Sequence, residues 1–466
     1  MLFSSSVFLC IFLPVVLIVY YGLLRRRRWG QNVFLLLASL FFYWWGEPKF
    51  VLIMLGSIVM NYLFGLWVEA FQKRGKHLLL PITCTVAANL SVLFTFKYVD
   101  FAVRNINLLG FDLTPPGIVL PIGISFFTFQ AMSYVFDIAR SHSRAQHNPL
   151  NVGLYIALFP QLVAGPIVKY ETVEHEILHR KETWADFSDG VRRFLIGLGK
   201  KVLIANQMAV VADAAFDASA PTAAFAWLGA ICYTLQIYYD FSGYSDMAIG
   251  LGRMFGFHFL ENFNWPYVSK TITEFWRRWH ISLSTWFRDY VYFPLGGSRV
   301  DRKWKLARNL FVVWLLTGIW HGASWTFVAW GMLYFVLLAA EKFWHLGRSW
   351  PAALGHVYTL VMVNFAWVLF RAEDMGAAVR YLAAMFGANG WWETLAGFYF
   401  RENIVFLAAA VFFAVPTANW LRSKADKSRL APLWGVLYAA GLLAVFAVAV
   451  AYLVKGTYNP FIYFNF

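Results

Sequence analysis

The chain has 466 residues, of which 60% are hydrophobic, 20% are aromatic and only 14% are charged. A soluble globular chain carries roughly 25% charged residues, so this composition excludes an ordinary soluble enzyme, and its 46 phenylalanines exclude a disordered chain. A net charge of +14 is typical of the cytoplasmic loops of a membrane protein, so no nucleic-acid partner is expected. The composition therefore predicts an all-α, polytopic integral membrane protein whose solvent is the lipid bilayer.

Neither the cysteines nor the first residues suggest a secreted or redox-active protein. Cys10, Cys84 and Cys232 lie in separate apolar runs without a Cys-x-x-Cys pair, so we expect core cysteines and no metal site. The first apolar run begins almost at Met1 and is followed by arginines, which is the reverse of the order in a signal peptide. We therefore expect this run to be retained as a membrane span.

Apolar stretches long enough to cross a bilayer, about 20 residues each, recur along the chain. They occupy 7–24, 31–46, 50–68, 78–97, 117–138, 150–168, 193–213, 222–240, 309–345 (as two helices), 354–371, 401–420 and 433–454. We expect about eleven to thirteen transmembrane or re-entrant helices in a single domain covering 1–466, most motif-rich at 117–345. Pro160, Gly165 and Pro166 must interrupt the stretch at 150–168, which is predicted to be broken or re-entrant.

The basic residues of the early loops predict the orientation. Nine fall on one side of the membrane, whereas the intervening loops offer only Lys49 and Arg104. The nine are Arg25, Arg26, Arg27, Arg28, Lys73, Arg74, Lys76, Arg140 and Arg144. Because Lys and Arg concentrate in cytoplasmic loops, the N-terminus is predicted to be extracytoplasmic.

Residues 271–308, called the basic segment below, form the most cationic stretch. They include eight Lys or Arg against three acidic residues, interleaved with tryptophan and tyrosine. Such a stretch is typical of the cytoplasmic membrane interface, where it serves as a positive anchor. A second interpretation is that Arg277, Arg278 and Arg288 bind the phosphates of a cytosolic donor.

Two histidines are candidates for catalysis, because an ionisable group at membrane depth is costly and marks function by default. His321 lies about twelve residues beyond the basic segment, in the apolar run 311–330, which on one continuous helix places it roughly 18 Å deep. It could act as a general base on a hydroxyl, or it could be a packing residue that bonds to backbone. His280, at the inner edge of the membrane, has a catalytic and an interfacial interpretation.

A second polar group follows the apolar run at 222–240. Asp240 and Asp246, with Tyr239, could bind a cation, relay protons or hydrogen-bond to loop backbone, and we favour the last. Gln161 is a further candidate for a cavity wall. The sequence has no Gly-x-Ser-x-Gly elbow, no Walker loop and no His-Glu-x-x-His pattern, which argues against serine hydrolase, nucleotide-hydrolysing and zinc-protease chemistry.

Five stretches of the chain resemble the membrane-bound O-acyltransferase family. They are PIGISFFTFQAMSYVFD from Pro121, LFPQLVAGPI from Leu158, YYDFSGYSDMAIGLG from Tyr238, ITEFWRRWHISLSTWFRDYVYFPLGG from Ile272 and TGIWHGASWTFVAWG from Thr317. The resemblance extends over nearly the whole chain and includes the aromatic end at 460–466.

The resemblance implies a multi-helix acyltransferase in which the family's invariant histidine is carried onto His321 and its second histidine onto His280. It implies no permanently bound cofactor, since the donor is a cytosolic thioester, acetyl-CoA or an acyl carrier protein. It also implies an extracytoplasmic SGNH-type partner and an exported polysaccharide as final acceptor, such as alginate, peptidoglycan or cellulose. Compared with the alginate-acetylating branch of the family, the chain lacks a Pro- and Ala-rich insertion before its last span. The resemblance therefore does not identify the acceptor polysaccharide.

The predicted function is therefore acetyl transfer for polysaccharide O-acetylation at the bacterial inner membrane. Peptidoglycan acetylation or D-alanyl transfer is the alternative within the family. Outside it, a transporter or flippase would use His321 as a proton relay, and a scaffold would only recruit the extracytoplasmic partner.

Overall fold

The computed structural model describes residues 1–163, 165–428, 430–456 and 462. Over these residues the regular secondary structure is entirely helical, which confirms the all-α class. The chain divides into two compact units, the first made of Met1–Phe194 and Ser245–Leu260 and the second of Leu195–Tyr244 and Glu261–Phe466. The single domain over 1–466 stays a prediction, and the aromatic end at 460–466 lies outside the described residues except for Ile462.

The first unit contains both apolar helices and shorter polar ones. Its helices are Phe8–Phe12, Leu13–Ile18, Val19–Leu23, Arg28–Gly46, Val51–Lys73, Leu79–Lys97, Val99–Asn107, Ile124–Ala139, Pro149–Ala157, Phe159–Leu162, Tyr170–His179 and the first turns of Trp184–Gly199. The predicted span 117–138 begins late, at Ile124, because Gly123 takes a left-handed conformation (φ 75°) directly before it. A Cβ on Gly123 would lie 2.9 Å from the carbonyl oxygen of Leu162, so a side chain would also collide there.

The predicted interruption at 150–168 is confirmed. The helix Pro149–Ala157 stops at Leu158, whose ψ of 113° is extended, and a single turn follows at Phe159–Leu162. The break leaves backbone N–H groups without partners inside the helix. The Ser39 hydroxyl oxygen accepts a hydrogen bond from one of them, the Phe159 N–H, at 3.0 Å, as buried irregular backbone requires.

The second unit contains the remaining helices. They are Lys200–Ala205, Asn206–Phe216, Ala223–Met254, Pro266–Val268, Ile272–Arg278, Ile281–Phe287, Arg288–Tyr292, Lys303–His321, Trp325–Phe343, Ala352–Arg371, Met375–Met385, Thr394–Phe413, Thr417–Asp426 and Ala431–Val454. The helix Ala223–Met254 has 32 residues and runs on into the first unit. Asp240 and Asp246 therefore lie inside a continuous helix, which extends beyond the apolar run at 222–240.

Lys303–His321 and Trp325–Phe343 pack against each other as an antiparallel pair, called the histidine hairpin below. Glycines permit the close approach: a Cβ on Gly318 would lie 2.5 Å from the Phe327 oxygen, and one on Gly331 would lie 2.4 Å from the Trp314 oxygen. The division of 309–345 into two helices is confirmed. His321 is thus the last residue of a helix and not the middle of a continuous one.

Among the described residues, seven helices are long and apolar enough to cross a membrane. They are Val51–Lys73, Leu79–Lys97, Trp184–Phe216, Trp325–Phe343, Ala352–Arg371, Thr394–Phe413 and Ala431–Val454. Many of their apolar side chains are exposed because lipid is their solvent, which makes the protein a multi-pass membrane protein; the total of eleven to thirteen crossings stays a prediction. Cys10 is likewise exposed, so the expectation of three core cysteines holds only for Cys232.

Candidate active site

His280 lies at a sharp turn between the helices Ile272–Arg278 and Ile281–Phe287 of the basic segment. Its backbone is left-handed (φ 43°, ψ 55°), a conformation uncommon for a residue with a side chain. The residue is 1% exposed, although the basic segment was predicted to lie at the interface. The turn therefore carries His280 away from solvent while the neighbouring Arg277 remains exposed.

Asn262 holds the turn through both its backbone and its side chain. Its carbonyl oxygen accepts the Ile281 N–H at 2.9 Å. Its side-chain oxygen accepts the Ser282 N–H at 3.2 Å and the Ser282 hydroxyl at 2.9 Å, and Nδ1 of His280 lies 3.1 Å from the same oxygen. Three groups of the turn thus converge on one amide oxygen.

His321 ends the first helix of the histidine hairpin. The chain then becomes extended at Gly322, and Ser324 caps the next helix by accepting the Thr326 N–H at 3.3 Å. His321 is 5% exposed. The helix starts at Lys303, before the predicted boundary at 309, so His321 lies about 27 Å along its axis.

Aromatic rings surround the imidazole of His321 and join it to that of His280. The ring centroids of Trp320, Trp330 and Phe370 lie 4.9, 4.8 and 5.1 Å from that of His321, all edge-on. Trp320 also lies 6.2 Å from the ring of His280. The structure thus brings the two predicted catalytic histidines into one buried aromatic group of the second unit.

Glu341 connects the element that carries His280 to the histidine hairpin. Its carboxylate accepts the Ile272 N–H at 2.6 Å, the Thr273 N–H at 2.8 Å and the Thr273 hydroxyl at 2.6 Å. A carboxylate is the favoured partner for the unpaired N–H groups that begin a helix. The short helix before His280 is therefore fixed to the second helix of the hairpin.

The three arginines predicted to bind a donor differ in their surroundings. Arg278 pairs with Glu274 at 3.0 Å, and Arg288 pairs with Asp289 at 2.9 Å. Arg277 is exposed, and no ion pair with another described residue occupies it. Of the three, Arg277 is the most available to an anion from solution.

The remaining candidates take part in internal contacts. Asp240 is 2% exposed and pairs with Lys201 at 2.6 Å. Its other carboxylate oxygen accepts the backbone N–H of Ile462 at 2.9 Å, which is the type of bond, to backbone, that we favoured for this residue. The hydroxyl of Tyr239 donates to the Ala410 oxygen at 2.5 Å.

The last two candidates belong to the first unit. Asp246 pairs with Arg193 at 2.8 Å. Gln161 is 1% exposed and donates to the Tyr155 oxygen at 2.6 Å, which stabilises the interrupted helix. Both residues are explained by these structural contacts.

One group in the first unit has the spacing of a cation site. Ligand atoms of Asp137, His142 and Glu171 all lie within 4.8 Å of one another. However, the Glu171 carboxylate already pairs with Lys169 and with His142, each at 3.0 Å, and Asp137 accepts the Glu171 N–H at 3.0 Å. These contacts explain the group without a metal ion.

Sequence reasoning missed four residues that organise this region. Lys201, a charge inside the apolar run 193–213, could have been noticed as an intramembrane ionisable residue. Glu341, near the end of the apolar stretch 309–345, offered the same signal. Asn262 and Trp320 did not, because their importance comes from contacts with distant residues.

Comparison with known proteins relates this chain to one family. Residues 6–374 match the family model described as MBOAT, membrane-bound O-acyltransferase family. A protein of Pseudomonas putida named probable alginate O-acetylase AlgI is 40% identical over 490 residues, which cover all of both chains. A peptidoglycan O-acetyltransferase of Helicobacter pylori is 37% identical over 73% of this chain and 71% of its own.

A more distant relative is the teichoic acid D-alanyltransferase of Bacillus subtilis, which is 30% identical over 56% of this chain and 70% of its own. The match at 6–374 includes both histidines and the whole histidine hairpin. This chain therefore belongs to the membrane-bound O-acyltransferase family and is an O-acyltransferase.

Proposed function

We propose that this protein transfers an acetyl group from acetyl-CoA in the cytosol towards an exported polysaccharide such as alginate. The observation that carries the proposal is the pairing of His321 and His280 around Trp320 in one buried aromatic group. Similarity over the full length to a probable alginate O-acetylase supports acetyl as the acyl group. An SGNH-type partner outside the membrane completes the transfer to the sugar.

In this proposal His321 is the general base. Its imidazole removes the proton of an incoming hydroxyl, of the partner or of a carrier, as the oxygen attacks the thioester carbonyl. The carbon–sulfur bond then breaks, and the thiolate of CoA takes up the proton that the imidazole received. General-base catalysis of this kind contributes about 10²- to 10⁴-fold to a rate, and His280 orients the reacting groups.

The donor enters from the side of the basic segment. Arg277 offers an exposed guanidinium to the phosphates of acetyl-CoA, whereas Arg278 and Arg288 are held by carboxylates. In this proposal the protein lies in the bacterial inner membrane. The segment then faces the cytoplasm and the N-terminus lies outside, an orientation that the asymmetry of the loop charges supports.

The experiment that tests the proposal measures release of free CoA from labelled acetyl-CoA in proteoliposomes, with and without the candidate SGNH-type partner. The wild type is expected to consume acetyl-CoA, and His321→Ala to lose about 10²-fold or more of that rate while still folding in the membrane. Consumption that persists in His321→Ala removes His321 from catalysis. A folded wild type that moves glycan without releasing CoA is a transporter instead.

Peptidoglycan is the second candidate acceptor, because a relative named peptidoglycan O-acetyltransferase is 37% identical over 73% of the chain. Supplying each polymer to the reconstituted system separates the two: the correct acceptor retains the label as an ester that mild alkali releases. D-alanyl transfer would instead require a D-alanyl carrier thioester and would leave acetyl-CoA intact.

A further inference from the structure

We infer that Asn262 is a positioning residue that holds His280 in a single tautomer, with the proton on Nδ1 and the lone pair on Nε2. The inference rests on the proposed function only in giving His280 a part in the reaction. The tautomer itself follows from the hydrogen bonds around the turn.

The first step is the identity of the Asn262 atom that faces the turn. The oxygen and nitrogen of an amide look alike, so their assignment must come from their partners. A backbone N–H can only donate, and that of Ser282 lies 3.2 Å from this atom of Asn262. The atom must therefore be an acceptor, which is the oxygen, and the Ser282 hydroxyl at 2.9 Å donates to it as well.

The second step concerns the ring. Nδ1 of His280 lies 3.1 Å from the Asn262 oxygen. If Nδ1 carried no proton, its lone pair would face the lone pairs of the Asn262 oxygen and repel them. A protonated Nδ1 instead donates a hydrogen bond to that oxygen. The Ser282 oxygen, 3.4 Å from Nδ1, offers the ring a lone pair too, since its own proton points at Asn262.

The third step is the charge of the ring. His280 lies outside the seven described helices that are long and apolar enough to cross a membrane, and its burial lowers its pKa to about 3, so the imidazole is neutral at physiological pH. A neutral imidazole carries one proton, and Asn262 places it on Nδ1. Nε2 is then a hydrogen-bond acceptor and can orient the hydroxyl that attacks the thioester.

The backbone around Asn262 keeps this arrangement rigid. The Asn262 carbonyl accepts the Ile281 N–H at 2.9 Å, and the Asn264 N–H donates to the Arg278 oxygen at 2.9 Å. These two bonds fix residues 262–264 on both sides of the turn, which holds His280 in its left-handed conformation. Strained backbone of this kind persists where the surroundings determine it, often at functional sites.

Direct observation of the tautomer is independent of catalysis. Solid-state NMR of the full chain in proteoliposomes, with ¹⁵N-labelled histidine and assignment by difference against His280→Gln, should show a protonated Nδ1 and an unprotonated Nε2. The opposite tautomer, or a mixture of the two, would overturn the inference whatever the protein catalyses.

Two variants then test the consequence for activity, with acetyl-CoA as the probe. Asn262→Asp keeps the acceptor oxygen but adds a charge that stabilises the imidazolium, so its rate should fall relative to wild type by about threefold or more between pH 8 and pH 5. Asn262→Leu removes the acceptor and should stay inactive at every pH. Asn419→Asp places the same charge on an exposed residue outside this turn and should follow the wild-type profile.

The outcomes separate this inference from the proposed function. Failure of the wild type to release CoA would reject the proposed function and leave the tautomer to the NMR measurement. An active wild type with a parallel pH profile in Asn262→Asp, or with activity retained in folded Asn262→Leu, would show that Asn262 does not position His280.

Discussion

Single side chains of this protein are defined more by their partners than by their type. Arg277 and Arg278 are neighbours with the same guanidinium, yet Arg278 is bound to Glu274 and Arg277 faces solvent. Asp240 and Asp246 are likewise the same residue type in the same part of the sequence. However, Asp240 pairs with a buried lysine and Asp246 with a half-buried arginine. Their roles therefore could not be separated by residue type alone.

The difference between the two arginines gives a prediction about the donor. Arg277→Gln should raise KM for acetyl-CoA several-fold with little change in kcat, because an exposed cation that contacts phosphate stabilises ground state and transition state alike. Arg278→Gln should have a smaller effect on KM. Raising the salt concentration should weaken the wild type more than Arg277→Gln, and initial-rate kinetics at two ionic strengths measure both effects. An unchanged KM in Arg277→Gln would exclude this arginine from donor binding.

His258 makes stability depend on pH in the first unit. Burial lowers its pKa, but hydrogen bonds to Glu176 at 2.7 Å and Asp186 at 3.3 Å outweigh burial, so the folded-state pKa is raised. Its stabilisation is complete below about pH 6.5, the ordinary pKa of histidine, and is lost as the pH rises through the higher folded-state value. The imidazole is half exposed, which limits the effect to about 1 kcal/mol or less.

Melting temperatures therefore should differ between wild type and His258→Gln at pH 6, with the wild type higher, and should converge by pH 9. His77→Gln changes an exposed histidine and serves as the control. A difference that stays constant with pH would mean that His258 acts through packing and not through its charge.

Among the elements, Glu341 joins the histidine hairpin to the short helix before His280. Glu341→Gln should destabilise the protein by about 1–3 kcal/mol, because an amide oxygen cannot replace both carboxylate oxygens at Ile272 and Thr273. CoA release should fall further than stability explains, since the helix that carries His280 loses its anchor. Glu373 is an exposed residue of the second compact unit, and Glu373→Gln should behave as wild type in thermal unfolding and turnover.

Elements that depend on local chemistry were predictable from the sequence, and those that depend on distant contacts were not. Prolines inside an apolar run interrupt a helix beyond its first turn, so the interruption after Ala157 was predicted. The turn at His280 depends on Asn262, which lies 18 residues earlier in the chain. Two helices were predicted over 309–345, but the apolar run 311–330 did not indicate that the chain would reverse at residues 322–324, so His321 was placed on a continuous helix.

Across the whole molecule, the apolar composition and the asymmetric distribution of charge both follow from the lipid bilayer around the protein. Helices such as Ala431–Val454 expose apolar side chains because lipid surrounds them. Charged residues at membrane depth are instead internally paired, as Lys201 is with Asp240. In the proposed function, the cations that remain exposed in loops face the cytoplasm, from which the donor would arrive.

This placement can be tested by labelling single cysteines with a membrane-impermeant maleimide, after replacing Cys10, Cys84 and Cys232 by alanine. Asp112→Cys lies in an exposed loop of the predicted outer side and should react in spheroplasts with intact inner membranes. Lys76→Cys and Lys303→Cys, both exposed, should react only after permeabilisation, because their loops carry the cytoplasmic excess of charge. Reaction of Lys303→Cys from outside would put the basic segment on the wrong face for a cytosolic thioester and would reject acetyl-CoA as its ligand.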